Sequence, residues 1–138
     1  MNPQDFDVPI NYKHWRGDPA EDRIGPFFFR IEGGIVYSAF RVQAHHCNSH
    51  ASVHGGLLMA FADYTLCIAA NEGREESVAT VTCSNEFIGP GQAGDLICGV
   101  AEVTRRGGSL VFVRAVLSVQ DKPILTSSAV IKRLRPKL

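Results

Sequence analysis

His54-Gly55-Gly56-Leu57-Leu58-Met59-Ala60-Phe61-Ala62-Asp63-Tyr64-Thr65-Leu66-Cys67-Ile68-Ala69-Ala70 is the stretch on which the fold turns. Leucine, alanine and methionine are strong helix formers, so a helix is predicted over residues 56–70. Leu57, Leu58, Phe61, Ala62, Leu66, Ile68 and Ala69 put apolar groups on almost every side of it. A helix apolar all round has to be covered all round.

The covering material lies on both sides in sequence. Upstream, Phe27 to Ile31 and Ile35 to Val42 are β-rich runs separated by Glu32-Gly33-Gly34, which supplies the positive-φ positions of a tight hairpin. Downstream come four more runs, Ser77 to Ile88, Leu96 to Arg106, Ser109 to Gln120 and Ile124 to Leu134. They are joined by turn residues, Gly89-Pro90-Gly91-Gln92-Ala93-Gly94, Gly107-Gly108 and Asp121-Lys122-Pro123. Short turns between neighbouring strands imply antiparallel pairing. Two strands, one buried helix and four strands describe an α+β fold in which an antiparallel sheet curls around a central helix, the hotdog arrangement; another α+β roll would fit the same order. Residues 1–25, with Phe6, Tyr12 and Trp15 among prolines and acids, read as a loop-rich arm with one short helical turn near Pro19 to Ile24. The remaining residues, 26–138, read as one domain.

Composition narrows the function classes. At 138 residues and 45% hydrophobic, the chain can build one core without metal or disulfide staples. Fourteen basic and fourteen acidic residues cancel, so no global field attracts nucleic acid or an anionic membrane. An anionic ligand would need a local patch, for which Arg105, Arg106, Lys132, Arg133, Arg135 and Lys137 are the candidates. Cys47, Cys67, Cys83 and Cys98 lack CxxC spacing and read as small buried hydrophobes, which suits a reducing compartment. The segment MNPQDFDVPI has no basic and apolar regions of a secretory signal. The apolar run from Leu57 to Ala70 falls short of the ~20 residues that span a bilayer. A cytoplasmic protein is expected.

Two features of the opening stretch carry chemistry. A helix that starts at Gly55-Gly56 presents N–H groups without intrahelical acceptors, and glycine leaves them open to a developing oxyanion; the same glycines could instead serve close packing. Asp63 stands inside an apolar helix, where an ionised carboxylate is costly unless paired, hydrogen-bonded or near water. It could act as a general base on water or as a nucleophile on a carbonyl. Eight residues at ~1.5 Å each separate it from Gly55 by ~12 Å along the helix, too far for both to serve one carbonyl. A two-fold dimer placing one helix start beside the other chain's Asp63 removes that difficulty. His45, His46, Cys47 and His50 form a dense cluster of imidazoles and a thiol, but their spacing matches no familiar zinc pattern, so no metal is expected.

Asn48, then His54-Gly55-Gly56, then Asp63 resembles the motif of the PaaI-like acyl-CoA thioesterases, a hotdog family that includes phenylacetyl-CoA thioesterases and thioesterase superfamily member 2. Phe87-Ile88-Gly89-Pro90 with Gly94-Asp95, and Arg105 to Phe112, resemble the family's later loop and hairpin. The resemblance implies hydrolysis of an acyl-CoA, with coenzyme A part of the substrate and no separate cofactor. It implies that the Gly55 amide and the Asn48 side chain polarise the thioester carbonyl, that His54 positions it, and that Asp63 of a partner chain acts with Thr80, which orients water. Gly56, Pro90, Arg105, Arg106 and Ser109 would contact substrate, the arginines its phosphates. A homodimer, joined into a tetramer, is implied as well. In this setting the N-terminal aromatics could cover the acyl channel or pack against the sheet. Where relatives carry glycine before the HGG, this chain has Ser49-His50-Ala51-Ser52-Val53, so the approach loop differs. A hotdog enoyl-CoA hydratase or dehydratase and a non-catalytic acyl-CoA binding module are the competing readings.

Overall fold

The computed structural model describes residues 1–134; Arg135 and Lys137 of the basic patch lie outside the described residues. Strands β1 (Lys13–His14), β2 (Phe28–Glu32), β3 (Ile35–Arg41), β4 (Val78–Phe87), β5 (Leu96–Arg106), β6 (Leu110–Val119) and β7 (Lys122–Arg133) form one sheet. All pairings are antiparallel, in the order β1-β2-β3-β5-β6-β7-β4. Helix α2 (Gly55–Asn71) packs on the inner face against β3 to β7, and a short helix α1 (Pro19–Ile24) precedes β2. This is the hotdog arrangement. No helix among the described residues is long and apolar enough to cross a membrane.

Alternation decides which side chains reach the core. Phe27, Phe29, Val36 and Phe40 join Phe61, Leu66, Ile97, Leu117, Leu125 and Ile131 around α2. Phe28 and Ala39 point to the opposite face, where Val8, Phe6, Tyr12 and Leu96 cover them. The hairpin between β2 and β3 turns on Gly33 and Gly34, both at positive φ (58° and 79°), as Glu32-Gly33-Gly34 requires.

Several sequence expectations need correction. The arm is more than a loop: β1 pairs with β2, so the sheet has seven strands where six were expected, and Phe6 and Tyr12 are packing residues on its outer face. Helix α2 is not covered all round. Met59 is 41% exposed, and Asp63 and Cys67, one and two turns on, are only half-buried, which leaves one open line along the helix. The four cysteines are half-buried rather than buried, and all are free.

Candidate active site

Helix α2 begins at His54, whose Nδ1 accepts the Gly56 N–H at 2.9 Å. Its carbonyl accepts from Leu57 and Leu58 (2.9 and 3.2 Å). Gly56 is thereby occupied, and its N–H is not the free donor that the two glycines suggest. The Gly55 N–H is the first-turn donor with no acceptor among the described residues. The Phe87 ring lies over Gly55: a Cβ there would stand 3.2 Å from Phe87 Cε1. The preceding loop is tied down by Val53 N–H to the Gly91 carbonyl at 2.8 Å, which gives the loop after Pro90 a structural role, while Pro90 itself is exposed. Asn48 spends its side-chain oxygen on the loop, accepting from His50 N (2.9 Å) and Ser52 N (3.2 Å).

Asp63 lies two turns further along α2. Thr80 Oγ1 on β4 donates to Asp63 Oδ1 at 2.5 Å, and Cys67 Sγ lies 3.8 Å from the same oxygen and 3.5 Å from Thr80 Oγ1. The hydroxyl fixes one carboxylate oxygen of a residue that lines a cleft. Burial, then Asp63, pushes the Cys67 thiol up to about 12, so it keeps its proton and does not compete as a nucleophile. Strand β4 runs back along α2, with its Thr80 end at Asp63 and its Phe87 end at Gly55.

A cleft of about 500 Å³ opens beside Asp63, walled by α1, the second half of α2 and the start of β4. Glu21 of α1 lines it, a residue that the sequence pattern did not single out. Its carboxyl is pushed up to about 8, first by burial and then by Asp18, Asp63 and Asp22. Between 4.5, its ordinary value, and 8 the folded chain keeps this proton while the unfolded chain releases it, so stability falls as pH rises through that window and levels above it. Discounted for partial exposure, the effect is about 2 kcal/mol. Urea unfolding at about pH 5 and about pH 8.5 should show it. In Glu21→Gln that part of the slope should vanish.

The basic residues are partly committed elsewhere. Arg106 donates from Nη1 to the Ala70 carbonyl (3.0 Å) and pairs through Nη2 with Glu72 (3.1 Å), closing the end of α2. Arg133 pairs with Glu76 at 2.5 Å. Arg105 and Ser109 are exposed at the β5–β6 hairpin, with no side-chain partner among the described residues. The structure thus brings Asp63 and Thr80 together, sets His54 and Gly55 at the other end of the same helix, and leaves Arg105, Arg106 and Ser109 outside the residues that line the cleft. In the histidine cluster, His46 is buried against Phe40 with Nδ1 accepting from Gln43 N (2.9 Å), a packing and capping role.

An antiparallel sheet wrapped on one helix is the hotdog fold, and Asp63 stands on that helix's open line. The chain belongs to the thioesterase superfamily, whose family model matches residues 50–125. It is 31% identical over 129 residues to "Putative esterase PA0474" of Pseudomonas aeruginosa, across 91% of this chain and 96% of that one. It is 30% identical to the acyl-coenzyme A thioesterase PaaI of Escherichia coli, across 83% and 87%. The solved Escherichia coli PaaI structure superposes with a TM-score of 0.78 at 22% identity, over 88% of each chain.

Proposed function

We propose that the protein hydrolyses acyl-CoA thioesters to a free acid and CoA at a site shared between two copies of the chain. The observation that carries this reading is the Asp63–Thr80 pair at 2.5 Å on the open line of an otherwise buried helix. Asp63 takes a proton from water as the water oxygen bonds to the thioester carbon. The resulting oxyanion sits at the Gly55 N–H of the second copy, where a fixed donor lowers the barrier most. The C–S bond then breaks, and the proton held by Asp63 passes to the departing sulfur. Coenzyme A enters as part of the substrate, and the step needs no further cofactor.

The edge strand supports the shared site. Among the described residues only β7 pairs with β4, whose Thr80, Val81, Thr82 and Ser84 are exposed. An unpaired edge of this length invites another strand. Antiparallel pairing of two β4 strands would set the Thr80 end of one beside the Phe87 end of the other, and so Asp63 beside the second copy's Gly55. On the outer face, the paired Val100 and Val116 with Phe112 form an exposed apolar patch that a second dimer would cover. The four free thiols fit a cytoplasmic setting.

The test is CoA release from a panel of aromatic, short, medium and long acyl-CoAs. Turnover of at least one with free acid as product is the expected result. Hydration of an enoyl-CoA without thiol release would favour the hydratase reading, and tight binding without turnover the silent module. The shared site carries its own expectation. Specific activity should fall on dilution in step with the dimer fraction seen by sedimentation, and a monomer fully active per chain would refute it.

A further inference from the structure

Five carboxyl side chains line the cleft beside Asp63, those of Asp18, Glu21, Asp63, Glu75 and Glu76, and no lysine, arginine or histidine does. Glu76 is neutralised by Arg133, and Asp18 caps α1 by accepting the Glu21 N–H at 3.0 Å. Glu21 and Glu75 have no paired cation among the described residues. With Glu76 paired and Glu21 protonated below about pH 8, the wall still offers Asp18, Asp63 and Glu75 and no cation, which disfavours the phosphates of CoA, so the end of an acyl-CoA that enters is the acyl end. Two further groups shape the opening. Trp15, packed on Phe29, gives it an aromatic wall. Tyr64, only 3% exposed, lines the same cleft and has a buried hydroxyl with no protein partner. A buried hydroxyl without a partner is uncommon unless a ligand or water completes it.

We propose that the acyl group accepted here carries a positive charge, an ammonium or quaternary ammonium, seated between the Glu21 carboxylate and the Trp15 ring with its thioester carbon at Asp63. This rests on the thioesterase reading above. A cation over an indole is drawn to the ring's electron-rich face. Glu21 otherwise holds a proton first because it is buried, and then because a second anion beside Asp18 and Asp63 is costly. An arriving cation takes over that neutralising role, and the carboxyl releases its proton to solvent. Asp63 then keeps its own charge for the water. A neutral acyl group gains none of this and leaves the acidic wall unmatched.

Two substrates separate charge from shape: trimethylammonioacetyl-CoA and tert-butylacetyl-CoA differ by a nitrogen in place of a carbon. The cationic thioester is expected to show kcat/KM at least about tenfold higher, and the ratio should collapse towards one in Glu21→Gln. Glutamine is also favoured three residues into a helix, so the variant keeps α1 capped. Equal or faster turnover of the neutral thioester overturns the proposal, as does a preference that survives Glu21→Gln. If no acyl-CoA of any kind is hydrolysed, the thioesterase reading has failed instead, and tetramethylammonium becomes the probe. Trp15 is the chain's single tryptophan. Its emission should change saturably with tetramethylammonium in the wild type and much less in Glu21→Gln; no saturable change would overturn the cation site itself.

Discussion

Asp63→Asn is expected to lower kcat for CoA release by at least about 100-fold, the scale of losing a general base. Asparagine has nearly the same volume and can still accept the Thr80 hydroxyl through its amide oxygen, so the bond that now measures 2.5 Å has a replacement. What disappears is the ability to take a proton. Because Asp63 is only half-buried, neutralising it should leave the melting temperature within a few degrees, and that control distinguishes lost chemistry from lost structure. A variant that folds and keeps most of its activity would defeat the mechanism while leaving the family membership untouched.

Gly99→Ala should lower the melting temperature by about 10 °C, from a cost of about 3 kcal/mol. Gly99 on β5 faces a buried polar pair, Ser38 and Thr65. Thr65 Oγ1 donates to the Phe61 carbonyl at 2.8 Å, so the Ser38 hydroxyl, 2.7 Å away, is the donor to Thr65. Both residues are fully buried. A Cβ on Gly99 would collide with Ser38 Oγ and stand 3.0 Å from Leu117 Cδ2 and 3.3 Å from Thr65 Oγ1. Either the strand shifts or the hydroxyl leaves, and a displaced buried hydroxyl loses its partner. Adding Ser38→Ala should recover part of the loss, since it removes the atom in the way. Thermal unfolding of the two variants checks the pair.

The central elements were legible in the sequence because local and long-range preferences agreed there. The run from Leu57 to Ala70 is both helix-forming and apolar, and the strand predicted from Leu96 to Arg106 has those bounds in the structure. Asp63 stood out because a carboxylate inside an apolar helix needs a reason. Non-local partners were not legible. Lys13 and His14 form a strand only because Phe28 and Phe29 offer an edge, and two residues carry no periodicity of their own. Arg106 read as a phosphate ligand, whereas its acceptors, the Ala70 carbonyl and Glu72, lie more than 30 residues away. Glu21 is not singled out by the sequence, because it lies among the acids of an arm that reads as loop-rich with one short helical turn. Its place in the cleft depends on the arm folding back to the end of α2. The hydrogen bond between His14 Nε2 and Asp22 Oδ1 at 2.6 Å and the contact of Trp15 with Phe29 hold it there.

The pairing of β4 with β7 has a consequence for synthesis. Thr80 is held on a strand whose ladder partner among the described residues begins at Lys122. As the chain leaves the ribosome, α2 and β4 emerge well before β7 exists, and β4 can only wait. The oxygen that orients Asp63 is therefore placed among the last events of folding, after β5 and β6 have built the ledge on which β7 settles. A chain that ends after β6 lacks the strand that holds Thr80 beside Asp63.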